Sequence, residues 1–149
     1  AALTIAETGH LVLTTGHAPS SYQAVERIID MFPPHERGLA QTRMASLLNG
    51  ILCQALVPRV GGKGRAAAVE IMLANPAVRN LIREGKIHQL PNAIRTNARM
   101  GMQLLDQALV SLHKDGVIST ESVYAFCNEP EEVEKLIVNF EDTMITSSL

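Results

Sequence analysis

Two histidines in the stretch ETGHLVLTTGHAP, residues 7–19, are the first side chains whose type and spacing could do chemistry. His10 and His17 flank a run of β-prone residues, 11–15, and His17 follows directly after a glycine. In an α/β sheet, ligands bind at the carboxyl ends of the strands, which is the end where His17 is expected. An imidazole there can donate a hydrogen bond to a phosphate oxygen. The alternative is a structural role, which is how we interpret His35, His88 and His113.

No complete nucleotide or metal site accompanies these histidines in the sequence. The GGKG stretch at 61–64 lacks the G-x-x-x-x-G-K-[ST] pattern of a phosphate loop, and a strand rather than a helix is predicted after it, which favours a hairpin turn. Cys53 and Cys127 have no metal-ligand spacing and no disulfide framework around them, so we expect two buried thiols in a reducing compartment. There is no G-x-S-x-G elbow. We therefore expect no metal site, and the histidines have no obvious catalytic partner.

The composition limits the classes of function. The chain has 149 residues, the size of one ordinary domain, with a net charge of −2 and a pI of about 6.2. This balance argues against a nucleic-acid or anionic-membrane surface as the main role. No apolar run approaches the ~20 residues of a membrane span, and no signal peptide is recognisable. The chain does not begin with Met and already reads as the end of a helix, which predicts a piece of a longer protein.

Residues 1–74 read as an α/β unit. A short helix at 1–7 is stopped by Gly9, and a buried strand is predicted at 10–15. Ser20 and Gln23 form a capping box that begins the next helix, and a further helix precedes Gly50. Two strands joined by VGGKG then predict a hairpin. The second strand alternates onto one face with Ala67, Val69, Ile71 and Leu73.

Residues 75–140 read as all helix. Asn75-Pro76 begins a helix that Gly85 closes, and two short turns split by Pro91 follow it. Further helices are predicted before Gly116, after Ser119 and at 128–140. Residues 141–149 are predicted to be a loose, flexible tail.

The first of these helices, AVRNLIRE at 77–84, has an apolar stripe and a charged side. Val78, Leu81 and Ile82 are predicted to face inward. Arg79 and Arg83, four residues apart, share the other side and are expected to face outward with Asn80 and Glu84. The pattern by itself is also that of an ordinary solvated face.

The motifs together resemble a known family. AETGHLVLTTGHA resembles the histidine box of the secretion-superfamily motor ATPases, and AVERIIDMFP, NPAVRNLIREGK, GMQLLDQALVSLHKDGVIS and NEPEEVEKL extend the resemblance along nearly the whole chain. Within the superfamily, the chain is most similar to the PilT-like type IV pilus retraction (twitching motility) ATPases. AVRNLIRE differs from that branch's AIRNLIRE only by Val78. Pilus-assembly and type II secretion relatives usually carry a four-cysteine zinc motif near residues 51–65, where this chain has only Cys53.

The resemblance implies an architecture and a role for each motif. Residues 1–74 would be the second half of a RecA-like P-loop ATPase core, and 75–140 a helical C-terminal subdomain. In the family, the Walker A and Walker B motifs precede the histidine box, so the histidines' partners would lie upstream. His17 would sense the γ-phosphate and His10 would help to hold the nucleotide pocket, although the family's TLHT is here Thr15-Gly16-His17-Ala18. The retraction motif would consist of Ala77, Val78, Arg79, Asn80, Leu81, Ile82, Arg83 and Glu84.

The resemblance also implies partners. The whole protein would bind ATP and Mg²⁺, form a homo-hexamer and act on an inner-membrane platform protein at the cytoplasmic side of the pilus base. We expect the present chain alone to be inactive, to bind no cofactor, and to dimerise by strand exchange or edge pairing, because cut sheets leave open edges. One alternative is a pilus-assembly or type II secretion ATPase. Another is a non-enzymatic helix-turn-helix module at 102–127, but its second helix carries Glu121 and no Lys or Arg, which argues against nucleic acid.

Overall fold

The computed structural model describes the backbone of residues 1–147 and the side chains of residues 1–139. The elements follow in chain order, with short 3₁₀ turns between some of them: α1 (Ala2–Glu7), α2 (Ser21–Asp30), α3 (Arg37–Leu47), β1 (Gly50–Pro58), β2 (Arg65–Leu73), α4 (Pro76–Arg83), α5 (Leu90–Thr96), α6 (Leu105–Lys114), α7 (Thr120–Phe126) and α8 (Pro130–Ser147). Within the described backbone, the sheet is the two-stranded pair β1–β2.

The strand predicted at 10–15 is wrong. Residues 10–18 form no regular secondary structure, and the side chains of Leu11 and Leu13 are 77% and 87% exposed. A strand is stable only when a neighbouring strand accepts and donates its backbone hydrogen bonds. No strand lies beside this segment within residues 1–147, so its β-prone residues have nothing to pair with.

The hairpin prediction is confirmed. Strands β1 and β2 pair antiparallel from Gly50 opposite Leu73 to Pro58 opposite Arg65. Residues 59–64 form the turn, in which Arg59 N–H donates to the Gly64 carbonyl over 3.2 Å. Three glycines of this turn have positive φ, a conformation that other residues rarely adopt, namely Gly61, Gly62 and Gly64. The GGKG stretch is therefore a hairpin turn, as its sequence context indicated.

The buried face of β2 is the opposite of the predicted one. Within the strand, the inward residues are Ala66, Ala68, Glu70 and Met72. The sequence favoured the face with Ala67, Val69, Ile71 and Leu73 because all of its residues are apolar, whereas the face that is buried contains the carboxylate of Glu70. Glu70 is nevertheless only 2% exposed, because two helix N-termini meet its side chain.

The helices of the second half begin and end largely where their caps predict. The Asn75 side chain accepts a hydrogen bond from Val78 N–H at 2.9 Å, and the Ser119 side chain caps α7. Pro91 does not split two turns but lies in the first turn of α5, where a missing N–H costs nothing. Helix α8 continues to Ser147, into the residues predicted as a tail, and residues 148–149 lie outside the described part of the chain.

Two hydrophobic clusters form the core. The first joins α2 and α3 to α4, α5 and the end of β2, through Val25, Ile29, Met44, Met72, Val78, Ile82, Leu90 and Ile94. The second joins the hairpin to α6, α7 and α8, through Val57, Ala68, Leu109, Ile118, Val123 and Val133. Both clusters include residues from either side of residue 74. The two predicted units therefore share their hydrophobic core, and no gap in the packing marks the predicted boundary.

Candidate functional site

The histidine segment, residues 8–19, connects α1 to α2. His10 lies near its beginning, where its Nδ1 atom is 2.8 Å from the Thr8 hydroxyl, which in turn donates to the Ile5 carbonyl at 2.7 Å. His10 is therefore tied to the end of α1. The His17 side chain is exposed, and its ring has no hydrogen-bond partner among the described residues, while its backbone carbonyl accepts from the Arg27 guanidinium.

The segment is anchored where it enters α2. The Ser20 hydroxyl accepts from Gln23 N–H at 3.4 Å, which confirms Ser20 as the helix cap. The Gln23 side-chain oxygen accepts from the Ser20 hydroxyl at 3.1 Å and not from its backbone N–H, so the reciprocal bond of the predicted capping box does not form. The Pro19 carbonyl accepts from the Asn128 side chain at 3.4 Å. His17 thus has a free ring on a backbone that is held two to three residues further on.

A buried polar cluster begins at Ser21, the residue that follows the Ser20 cap. Ser21, Cys53 and Glu70 are 0%, 7% and 2% exposed, and Glu70 pairs with Cys53 across the hairpin. Burial raises the pKa of the Cys53 thiol, and the negative charge of Glu70 adds to that rise. Cys53 is therefore a neutral thiol and not an activated nucleophile.

The motif helix α4 is docked as its sequence predicts, with one exception. Val78 and Ile82 are fully buried, and Leu81 packs against the same cluster. Arg79 does not face outward. Its guanidinium donates to the backbone carbonyls of Ala45 and Ser46 at 2.7 and 2.9 Å.

The contact of Arg79 has a clear physical cause. The last carbonyls of α3 have no partner within their own helix, and a guanidinium offers several donors in one plane. Sequence reasoning missed this contact because the acceptors lie 33 and 34 residues away along the chain and are backbone atoms.

The outward side of α4 is formed by the three other polar residues of the motif. Asn80 donates to Glu84 at 3.1 Å, and the Lys86 ammonium lies 2.8 Å from the Glu84 carboxylate. The hydrogen bond with Lys86 is the main reason why the pKa of Glu84 lies below its ordinary value. Glu84 therefore has local partners that explain an acid at this helix end. Arg83 is exposed and makes no hydrogen bond or ion pair within the described side chains.

An open groove of about 470 Å³ lies beside the motif, between α4 and α5. Its lining is uncharged and rich in amides, and it includes Ala77, Asn80, Leu81, Gln89, Asn92 and Asn97. No sequence pattern indicated this groove, because α5 supplies half of its wall only after the two helices have packed.

Helix α3 connects the two candidate regions. Arg43 on α3 forms a bidentate ion pair with Glu7 at the end of α1, with N–O distances of 2.6 and 2.8 Å. Ala45 and Ser46, at the end of the same helix, hold Arg79. The structure therefore does not bring the histidines and the motif into direct contact but links both to one stretch of α3.

Metal-ligand clusters and membrane-spanning helices are both absent from the described residues. The side chains of residues 1–139 contain no group of three or more His, Cys, Asp or Glu placed to hold a metal ion. Among the helices described, none has the length and apolar character needed to cross a bilayer.

Comparison with known proteins places the chain in a family. The model of the type II/IV secretion system protein family matches residues 1–125. The type IV pilus retraction ATPase PilT of Pseudomonas aeruginosa is 43% identical over 130 residues, which cover 87% of this chain and 38% of PilT. A twitching motility protein of Neisseria gonorrhoeae is 45% identical over 121 residues, 81% of this chain and 32% of that protein.

A solved structure agrees with the sequence relatives. The crystal structure of the pilus retraction motor PilT with bound ADP superposes with a TM-score of 0.78 at 38% identity, over 90% of this chain and 37% of that one. The chain thus spans less than two fifths of the length of these relatives. It belongs to the type II/IV secretion system protein family and is similar to the pilus retraction ATPases of that family.

Proposed function

We propose that this chain is the C-terminal part of a hexameric motor ATPase that powers type IV pilus retraction. The observation that carries the proposal is its 43% identity to PilT over 130 residues. The family match at residues 1–125 contains both the histidine segment and the motif helix. Residues 1–74 are then the second half of a RecA-like core and residues 75–140 its helical subdomain. The motor acts at the cytoplasmic side of the pilus base, against an inner-membrane platform protein.

His17 is the residue of this chain that meets the nucleotide. Its ring is exposed and free of other partners, as a group that must donate to a phosphate oxygen requires. His10 is already engaged with Thr8 and acts as support for the pocket. ATP supplies the free energy of hydrolysis, and its phosphates and Mg²⁺ are held by a P-loop elsewhere in the longer protein, because the GGKG turn here has no phosphate-loop geometry.

The test of this role uses the longer protein. We expect His17→Ala to lower kcat for ATP hydrolysis by about tenfold or more while changing nucleotide affinity little, because a γ-phosphate sensor acts mainly in the reacting state. His35→Ala is the matched control, since His35 is also exposed and, among the described residues, pairs with its neighbour Glu36. Equal activity of the two variants would reject the role of His17.

The present chain should bind nucleotide weakly by itself. With no P-loop, we expect isothermal titration with Mg-ATP to show no affinity tighter than about 1 mM, roughly −4 kcal/mol. Micromolar binding would show that this chain contains a more complete pocket than His17 and His10 provide.

The motif helix transmits force to the platform protein through its outward side. Arg83 and the adjoining amide-lined groove form that surface, whereas Arg79 secures α4 to α3. We therefore expect Arg83→Ala in the longer protein to retain hexamers and ATPase turnover while twitching fails. Arg59→Ala, at an exposed arginine of the hairpin turn, is the control. Normal twitching of the Arg83 variant would show that this arginine is only solvated.

The chain alone should self-associate through the hairpin. Leu52 and Leu56 are 70% and 44% exposed on the outer face of β1. Pairing of the β1 edge with a second copy would satisfy the backbone groups at that edge, and the outer faces of the two copies would form one continuous apolar surface. Light scattering that shows only monomer at high concentration would exclude this dimer, and Leu52→Lys should reduce it if it forms.

A further inference from the structure

Glu70 is a carboxylate on the inner face of β2, where the other inward residues of the strand are Ala66, Ala68 and Met72. Only 2% of the residue is exposed. A buried charge without partners is strongly unfavourable. The placement of Glu70 is therefore determined by what its two oxygens bind.

Each carboxylate oxygen of Glu70 accepts a hydrogen bond from the beginning of a different helix. Oε1 accepts from Ser21 N–H at 2.6 Å, and Oε2 accepts from Leu105 N–H at 3.2 Å. Ser21 and Leu105 are the first residues of α2 and α6. Helix N-termini carry a partial positive charge, so both helices are electrostatically held to one side chain. Glu70 thus joins the helix that follows the histidine segment to a helix of the C-terminal half.

A second joint connects the same parts of the chain. Asn128 donates from its side chain to the Pro19 carbonyl at 3.4 Å, and its backbone N–H donates to Asp106 at 2.8 Å. Asp106 is 7% exposed, lies in the first turn of α6 next to Leu105, and also accepts from Glu129 N–H at 2.8 Å. Both joints therefore hold residues 19–21 to the first turn of α6.

We propose that Glu70 and Asn128 are positioning residues for His17. The inference rests on the proposed role of His17 and extends it, because it identifies what sets the place of that ring. Pro19 has a fixed φ and restricts Ala18 before it, and Arg27 of α2 donates to the His17 carbonyl, so a displacement of residues 19–21 together with α2 is carried to His17. Movement of α6 relative to α2 then moves His17, and a phosphate held by His17 favours one position of α6. The position of α6 and the binding of phosphate by His17 therefore influence each other by the same free energy.

A double-mutant cycle in the full-length hexamer tests this. Glu70→Gln keeps the size of the side chain but replaces one accepting oxygen with an NH2 group, which donates and cannot accept, so one of the two backbone N–H groups loses its partner. Asn128→Ala removes only the bond to Pro19. We expect kcat to fall roughly tenfold for Glu70→Gln and about threefold for Asn128→Ala, with KM for ATP nearly unchanged. In the His17→Ala background, we expect neither substitution to lower kcat much further.

The outcomes separate the two hypotheses. Multiplicative losses in the His17→Ala background would show that Glu70 and Asn128 act structurally, and would overturn the inference. Unchanged turnover of His17→Ala by itself would reject the proposed role of His17 instead. If Glu70→Gln does not assemble, the Asn128 cycle decides alone.

A spectroscopic measurement on the present chain gives an independent test. Asn128→Ala should shift the NMR signals of the His17 ring, whereas Asn92→Ala, at an exposed asparagine of α5, should not. Identical His17 signals in wild type and in Asn128→Ala would overturn the positioning role whatever the result for ATP hydrolysis.

Discussion

The histidine segment and the motif helix α4 carry the residues of most interest, but they are held in opposite ways. The position of helix α4 is determined by residues within and next to the helix. It has an Asn75 cap, a proline in its first turn and an apolar stripe in which Val78 and Ile82 are fully buried. The histidine segment has no regular structure, and Leu11 and Leu13 are almost fully solvated. Its position depends on contacts made by residues at its two ends.

The difference separates a rigidly packed surface from an adjustable segment. The motif helix is built into the first hydrophobic cluster, so that its outward residues keep a constant arrangement. Near His17, the described contacts that hold the segment are those of Arg27 and of residues 19–21, and their partners belong to other elements. A segment whose support comes from other elements is displaced when those elements move.

Truncation of an apolar residue in each region should give the largest contrast. Ile82→Ala removes a fully buried side chain and should lower the free energy of unfolding by about 2–5 kcal/mol. Leu13→Ala, at 87% exposure, should change it by no more than about 0.5 kcal/mol. Urea unfolding measures both. If Ile82→Ala does not fold, Ile82→Val should still cost about 0.5–1.5 kcal/mol. A comparable loss for Leu13→Ala would show that the histidine segment is packed after all.

The second largest contrast should be in the stability lost when each of the two motif arginines is replaced. Arg79→Ala removes two charge-assisted hydrogen bonds to carbonyls of α3 and should destabilise the chain by about 1–3 kcal/mol. Arg83→Ala, on the same helix, should change stability by no more than about 0.5 kcal/mol. Chemical denaturation of both variants decides. Equal effects would mean that the Arg79 contact contributes nothing to the docking of α4, and that both arginines are available to a partner.

Local features of this fold follow directly from the sequence. Ser20, Asn75 and Ser119 cap helices where their side chains predict, and the hairpin forms around its glycine-rich turn. These features depend on residues within about four positions of one another, where hydrogen-bond geometry and backbone preference decide the outcome. The sequence also predicts the inward residues of α4 correctly, because helical spacing alone determines them.

The features that sequence reasoning missed depend on distant partners. The phase of β2 is set by Glu70, whose acceptor role requires helix N-termini 49 and 35 residues away in the chain. Arg79 is charged and therefore reads as a surface residue until the end of α3 is placed beside it. The strand at 10–15 fails for the converse reason, since its local preference is not matched by a neighbouring strand within residues 1–147. Nonlocal hydrogen bonds, rather than propensities, decide each of these cases.

Removal of a helix cap should affect the histidine segment specifically. Ser20→Ala and Ser119→Ala each remove one cap and should each cost about 1 kcal/mol. Only Ser20→Ala should also speed amide hydrogen exchange at residues 16–19, because only that cap holds the end of the histidine segment. Unchanged exchange there would show that Glu70 and Asn128 suffice to hold the segment without the cap.

The smallest expected effect concerns the other end of the segment, where α1 is tied to α3 by Glu7 and Arg43. The hydrogen bond from Arg43 is the main reason why the pKa of Glu7 lies below its ordinary value of 4.5. A carboxyl whose pKa is lower in the folded state stabilises the fold above its unfolded pKa, and that contribution is lost as the pH falls through the folded value. The pair is exposed, so the gain should be small and sensitive to salt.

Glu7→Gln provides the measurement. Wild type should be slightly more stable than the variant to urea at pH 6, and the difference should shrink as the pH is lowered below about 4.5. Asp30→Asn is a suitable control, because Asp30 pairs with Arg37 at 3.2 Å on the surface but does not tie α1 to α3. Amide exchange at Thr8 and Gly9 should rise in Glu7→Gln and not in Asp30→Asn. A pH-independent difference between wild type and Glu7→Gln would show that the charge of Glu7 does not hold α1, and that the histidine segment is anchored at its α2 end alone.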